Sequence, residues 1–70
     1  MEDRVGKTAG DIWHYLKKHG DSPTLKVRME LDLTQSQFYL AVGWLLREGN
    51  VQLRRDDQGF RISLKQSVAP

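Results

Sequence analysis

The segment LTQSQFYLAVGWLLREGNV, residues 33–51, contains the clearest helix signals in the chain. Thr34 followed three residues later by Gln37 matches a capping box, in which each side chain accepts a hydrogen bond from the other residue's backbone amide. Apolar residues then recur at the three-to-four spacing of a buried helical stripe: Phe38, Ala41, Val42 and Leu45. Gly49 favours a left-handed stop. We therefore predict a helix that opens at Thr34 and is closed by Gly49.

A second apolar stripe lies upstream, between Val5 and Leu16. Its members also follow the spacing of one helical face: Val5, Ala9, Ile12, Trp13 and Leu16. The basic run KKH at residues 17–19 then suits the negative end of a helix dipole. Because Gly20 favours a left-handed stop, we predict a first helix that ends just before it.

The segment GDSPTLKVRMELDL, residues 20–33, predicts a shorter second helix. Ser22 is the expected N-cap, with Pro23 at the first helical position, where its missing N–H costs nothing. The expected apolar face consists of Leu25, Val27 and Met29. We expect this helix to end near Glu30 or Leu31.

Beyond Gly49 the apolar period changes from about 3.6 residues to 2, which is typical of strands. Apolar residues alternate with polar ones on either side of the turn sequence RDDQG: Val51 and Leu53, then Phe60, Ile62 and Leu64. We predict a hairpin with one apolar face, and Asp21 with Ser22 offers a short third strand. Residues 1–64 are expected to form one domain, and the polar residues 65–70 a flexible C-terminal tail.

Composition narrows the class of protein without fixing its partner. The 70 residues suffice for one domain, but the sequence has no cysteine and only His14 and His19 as nitrogen ligands, so we expect no disulfide and no metal. The charged N-terminus lacks a signal segment, and no apolar run approaches the ~20 residues that span a bilayer. We expect a cytoplasmic protein without membrane contact. A net charge of +2 is compatible with nucleic acid.

Three predicted helices followed by a hairpin, with the tight turn LDL between the second and third, resemble a winged helix-turn-helix domain. The segments AGDIWHYL and FYLAVGWLLREGNV together resemble a small stand-alone prokaryotic winged-helix family whose members have no established function. The resemblance covers roughly Val5 to Leu64 and implies an α+β fold with three helices and a β-hairpin wing. It also implies a DNA-binding protein of the transcription-regulator type, whose third helix enters the major groove of double-stranded DNA.

In that setting the expected DNA contacts lie in the first turn of the third helix and in the hairpin. Such surfaces carry donors and acceptors for base edges and phosphates. The candidates are Gln35, Ser36, Gln37 and Tyr39 on the helix and Arg54, Arg55 and Arg61 on the hairpin, with Lys26, Arg28 and Lys65 as a further basic extension. Two alternatives stay open. In the first, Thr34 and Gln37 merely cap the helix; in the second, the charged hairpin tip merely keeps the exposed sheet edge soluble and protected.

Apolar residues continue along the outer side of the third helix at Leu40 and Trp44, separated by Gly43. Large apolar side chains in water on so small a domain indicate a contact site. A mid-helix glycine costs ~1 kcal/mol relative to alanine, which close approach of another backbone would offset. With Gly10 as a second such position, we expect a homodimer with its interface at these four residues. The alternative is that Trp13 and Trp44 lie in the monomer core, where the glycines make room for the indole rings.

Catalytic chemistry has little support in the sequence. His14 lies in the first helix beside Trp13, and a solvated side chain is its simpler interpretation. No nucleophile-and-base arrangement, phosphate loop or metal spacing is present, so we expect neither an enzyme nor a cofactor. The leading hypothesis is a DNA-binding homodimer. The competing hypothesis is a protein-interaction or self-assembly module that keeps the winged-helix scaffold without binding DNA.

Overall fold

Three helices and a three-stranded sheet form the chain in the computed structural model, which describes the backbone of residues 2–65 and the side chains of residues 5–65. The elements are α1 (Glu2–His19), β1 (Ser22–Pro23), α2 (Thr24–Glu30), α3 (Gln35–Arg47), β2 (Val51–Asp56) and β3 (Gly59–Leu64). The α+β architecture of three helices followed by a hairpin is confirmed. Of the expected tail, residues 66–70 lie outside the described residues.

The core is the meeting point of α1, α3 and the inner side of the sheet. Its buried apolar side chains are Ala9, Ile12, Tyr15, Leu16, Val27, Phe38, Ala41, Val42, Leu45, Val51 and Ile62. The stripes predicted for the first and third helices supply most of this set, so the predicted inward orientation of both helices is confirmed. Complete burial of an aliphatic or phenyl side chain contributes about 1.5–3 kcal/mol, and this core therefore fixes how the two helices face each other.

Local hydrogen bonds define both ends of α3. Thr34 Oγ1 accepts from the Gln37 amide at 3.1 Å, and Gln37 Oε1 accepts from the Thr34 amide at 3.0 Å, which confirms the capping box. At the other end Gly49 has φ 74°, and the Asn50 amide donates to the Leu45 carbonyl at 3.0 Å. This left-handed stop ends the helix where the sequence predicted.

The predicted start of the second helix is one residue too early, both for its N-cap and for its first helical residue. Ser22 is not an N-cap: it lies in β1, is buried, and its hydroxyl donates to the Gly20 carbonyl at 2.9 Å. Pro23 takes the cap position with extended backbone, and α2 begins at Thr24. Ser22 pairs with Ile62 on β3, and its hydroxyl is bonded to Gly20, so it does not cap the helix.

The apolar face predicted for α2 is wrong at two of its three positions, because Val27 is buried but Leu25 and Met29 are exposed. Leu25 and Met29 lie two residues to either side of it, roughly half a helical turn away, and so they point outward. The solvent reaches 68% of Met29. The second helix therefore buries Thr24 and Val27 and leaves two large apolar side chains, Leu25 and Met29, on the surface.

The sheet has the strand order β1-β3-β2, with antiparallel pairing throughout. Cα partners across the hairpin include Leu53 with Ile62, Arg54 with Arg61, and Arg55 with Phe60. Because neighbouring residues in a strand point to opposite faces, the Leu53–Ile62 pair marks the core side and the Arg54–Arg61 pair the outer side. Phe60 shares the core-side face but is exposed near the hairpin tip, so the predicted apolar face extends beyond the core.

Candidate nucleic-acid interface

The first turn of α3 exposes two polar side chains, Gln35 and Ser36, to solvent. Gln37 is exposed as well, but its Oε1 atom already accepts the Thr34 amide hydrogen bond. A glutamine that pairs in bidentate fashion with adenine needs both its amide oxygen and its amide nitrogen. Gln37 is thus engaged in fixing the start of the helix, which leaves Gln35 and Ser36 as the side chains of this turn available to a base edge.

A shallow depression of about 160 Å³ lies between α2 and the start of α3. Its lining residues are Thr24, Leu25, Arg28, Gln35, Phe38 and Tyr39. The Tyr39 ring stands edge-on to the buried Phe38 ring at a centroid distance of 5.1 Å, which leaves its outer side exposed. The depression therefore combines one cation, one amide and one phenol on a single surface, a set of donors that suits both phosphates and base edges.

The three predicted hairpin arginines do not form one cluster. Arg54 and Arg61 lie directly opposite each other on the outer face, and we call these two residues the arginine pair. Arg55 points to the other face, opposite Phe60. The hairpin therefore presents the arginine pair on one face and Arg55 on the other.

Asp21 binds both members of the arginine pair. Its Oδ1 atom accepts from Arg61 Nε at 3.0 Å, its Oδ2 atom contacts Arg54 Nη2, and its backbone carbonyl accepts from Arg61 Nη2 at 3.3 Å. Asp56 Oδ2 lies 3.9 Å from Arg61 Nη1. Two carboxylates thus balance two guanidinium groups on the outer face, and the sequence interpretation missed Asp21. Only the predicted short third strand, which pairs with β3, could have indicated that Asp21 lies close to the arginine pair.

The outer side of α3 is apolar in its middle turns. Solvent reaches 62% of Leu40 and 45% of Trp44, so the alternative that Trp44 is enclosed in the monomer core is wrong. A Cβ atom built on Gly43 meets nothing within 4 Å, and the same holds for Gly10. These glycines do not make room for an indole of their own chain.

On α1 the aromatic side chains are partly covered by their own chain. Tyr15 is buried, and Trp13 is half-buried with Lys17 Nζ 4.9 Å from its ring centroid. Gly10 is half-buried and lies one turn before Trp13 on the same side of the helix. Among the described residues, the large exposed apolar side chains therefore lie on α2 and α3, apart from Phe60 at the hairpin tip.

The arrangement of α2, α3 and the hairpin is that of a winged helix-turn-helix domain. A model of a winged helix-turn-helix domain family (DUF2582) matches residues 1–64. The chain belongs to this family. In a winged helix-turn-helix domain, α3 occupies the position called the recognition helix, and β2 with β3 forms the wing.

Two relatives agree with this assignment. The chain is 33% identical to an uncharacterized protein of Methanocaldococcus jannaschii, MJ1608, over 93% of this chain and 100% of that protein. It also resembles the solution NMR structure of protein BT2368 from Bacteroides thetaiotaomicron, with a TM-score of 0.80 and 31% identity over 91% of this chain and 79% of that chain. The solved structure supports the observed fold, and neither relative's name states an activity.

Two other features are absent from the described part of the winged domain, a membrane-spanning helix and a metal-binding cluster. Between residues 2 and 65, no helix combines the length and the apolar composition needed to cross a bilayer. Among the side chains that the structure describes, no three histidine or acidic groups converge as a metal-binding set. Three surface features thus bear on function: the exposed first turn of α3, the wing arginines, and the apolar surface of α2 and α3.

Proposed function

We propose that this winged helix-turn-helix domain binds double-stranded DNA as a homodimer and acts as a regulator of transcription. The observation that carries the proposal is the exposed polar first turn of α3, whose geometry the Thr34–Gln37 capping box fixes. A rigid, solvent-facing helix start is the part of a helix-turn-helix that contacts base edges.

Each candidate side chain has a distinct role in this proposal. Gln35 reads a base edge, where a bidentate glutamine–adenine pair supplies about 1–3 kcal/mol of discrimination, and Ser36 adds one donor or acceptor beside it. Tyr39 and Arg28 contact the sugar-phosphate backbone from the depression between the helices. Arg55 and the arginine pair bind phosphates from the wing, while Gln37 positions the turn.

The homodimer part of the proposal rests on the middle of α3. Leu40 and Trp44 are exposed on either side of Gly43, whose missing side chain leaves the helix backbone accessible. A second copy that packs there, with Gly10 of α1 at the margin, would cover apolar surface that the monomer leaves in water. Dimerisation would also place two recognition helices on one duplex.

Amide chemical-shift mapping tests the DNA contact. A labelled chain is titrated with a short duplex of mixed sequence at about 50 and about 200 mM salt. We expect shifts at Gln35, Ser36 and Arg55 at low salt, and a log–log salt slope of about −4.5 if about five phosphates are neutralised. No shift at either the first turn of α3 or the wing at low salt would refute the proposal.

A pair of charge-matched variants shows whether the wing itself contributes. Arg55→Gln removes one proposed phosphate contact, so the salt slope should become shallower by about 0.9. Lys18→Gln removes the same charge from the last turn of α1, outside the proposed surface, and should leave the slope close to that of the parent chain. Equal effects of the two variants would show that only net charge matters.

A second candidate function is a protein-interaction or self-assembly module that does not bind DNA. It is favoured by the balanced charge on the outer wing face and by the exposed Met29, Leu40 and Trp44 on the helix-turn-helix surface. Sedimentation equilibrium together with the DNA titration separates the two. A stable dimer of the 8.1 kDa chain that gives no DNA-dependent shift would favour the second function.

A further inference from the structure

The contact between Asp21 and the two wing arginines has the form of an occupied anion site. The two oxygens of one carboxylate reach two guanidinium groups, and two oxygens of one phosphate can make charge-assisted hydrogen bonds to two arginines in the same way. We propose that the arginine pair is a phosphodiester-binding site that Asp21 occupies in the free protein, and that DNA displaces the carboxylate. This inference rests on the proposed function and assigns a role to a residue outside the predicted site.

The register of the hairpin explains why an anion belongs at this position. Arg54 and Arg61 are direct cross-strand partners on one face, and like charges that face each other in this way destabilise a sheet. A negative group between them removes the repulsion. Asp21 supplies it in the free chain, and a phosphodiester of the same charge could take its place without leaving the two cations unbalanced.

The carboxylate is placed so that it can leave. Solvent reaches 55% of the Arg54 side chain, 34% of Arg61 and 37% of Asp21, and ion pairs this exposed contribute little to stability. Arg61 also donates to the backbone carbonyl of Asp21 at 3.3 Å, a bond that does not depend on the carboxylate. This bond would keep Arg61 in position while the carboxylate is exchanged for a phosphate.

Asp21 should therefore lower the affinity for DNA. In the free chain it neutralises the arginine pair together with Asp56, and in the complex its charge would repel the phosphate bound beside it. Asp21→Asn keeps the size and one acceptor oxygen for Arg61 but removes the charge. We expect this variant to bind a mixed-sequence duplex about two- to fivefold more tightly at about 50 mM salt, with a steeper salt slope.

Fluorescence anisotropy with a labelled duplex measures this change, and two controls define its origin. Asp57→Asn makes the same charge change in the turn of the wing, at a residue without an arginine contact among the described side chains, and should give a smaller gain. The Asp21→Asn gain should vanish in a chain that also carries Arg54→Gln and Arg61→Gln. A gain that persists without the arginine pair would overturn the proposal.

The outcomes separate this inference from the proposed function. If the parent chain gives no DNA-dependent signal at all, the proposed function fails. If the parent chain binds DNA and Asp21→Asn binds equally or more weakly, the proposed function stands and the exchange at the arginine pair is refuted.

A measurement on the parent chain covers the case in which Asp21→Asn disturbs the wing. The side-chain Nε–H signal of Arg61 reports its bond to Asp21 Oδ1, which is 3.0 Å long in the free protein. Saturating duplex should shift this signal together with the Asp21 carboxyl carbon as one partner replaces the other. Unchanged signals, beside shifted amides in α3, would show that the carboxylate stays in place.

Discussion

Replacing Gly43 by alanine tests how α3 is used, because the stability of the monomer and the association of the proposed dimer should change in opposite directions. Gly43 lies inside α3, and a Cβ atom built there meets nothing within 4 Å. An exposed glycine in a helix interior costs ~0.8–1 kcal/mol relative to alanine. The free energy of unfolding of the isolated chain should therefore rise by about that amount, which corresponds to an increase in Tm of roughly 4–8 °C for a domain of this size.

Association should weaken in the same variant. A second copy whose backbone approaches Gly43 would meet the added methyl group, and forcing extra volume into a packed contact typically costs about 1–3 kcal/mol. The dimer Kd should thus rise roughly tenfold. Thermal unfolding followed by circular dichroism at low concentration measures the monomer's gain, and sedimentation equilibrium at high concentration measures the loss of association.

Gly49→Ala is the matched control for the change in Tm. A Cβ atom at Gly49 also meets nothing within 4 Å, but its φ of 74° lies in the left-handed region, where alanine costs about 1–2 kcal/mol. Its Tm should fall while that of Gly43→Ala rises. A lower Tm of the Gly43→Ala monomer would contradict the open space found around Gly43. A dimer Kd equal to that of the parent chain would show that no second copy packs against Gly43.

Three further predictions concern stability and are checked by urea unfolding. Tyr15→Phe should raise the free energy of unfolding by about 1 kcal/mol, because the buried Tyr15 hydroxyl has no hydrogen-bond partner among the described residues; a loss would show that a partner exists. Thr34→Ala should lower it by about 1 kcal/mol through loss of the cap, and an unchanged value would contradict the capping box. Val27→Ala should cost about 2 kcal/mol and Met29→Ala less than about 0.5 kcal/mol, and equal costs would contradict their different burial.

The elements that the sequence predicted well are those decided by nearby residues. The capping box at Thr34 and Gln37 and the inward stripe beginning at Phe38 depend on contacts within a few residues, and both are confirmed. Ser22 shows the limit of such reasoning. Its local signals favour a cap, but its pairing partner Ile62 lies far along the chain, and strand formation outweighs the cap.

The geometry of the candidate site was likewise predictable only where it depends on nearby residues. The alternation of a strand already implies that Arg54 and Arg55 point to opposite faces, so the division of the hairpin arginines follows from the sequence pattern. The neutralisation of the arginine pair does not follow from the sequence pattern, because Asp21 is 33 residues from Arg54 and 40 from Arg61 along the chain. Only the pairing of β1 with β3 brings the three side chains together.

DNA reading and self-association can share α3 only if they use different turns. Ser36 and Gly43 are seven residues apart, which is about 10 Å along the helix axis, whereas the major groove is roughly 12 Å wide. A helix laid lengthwise in the groove would bring Leu40 and Trp44 against the duplex and leave them unavailable to a second copy. A helix that enters by its first turn keeps them outside the groove. The exposed polar start and the apolar middle of α3 therefore favour end-on insertion. A variant that weakens the proposed dimer, such as Gly43→Ala, should then also weaken DNA binding, because the second recognition helix is lost.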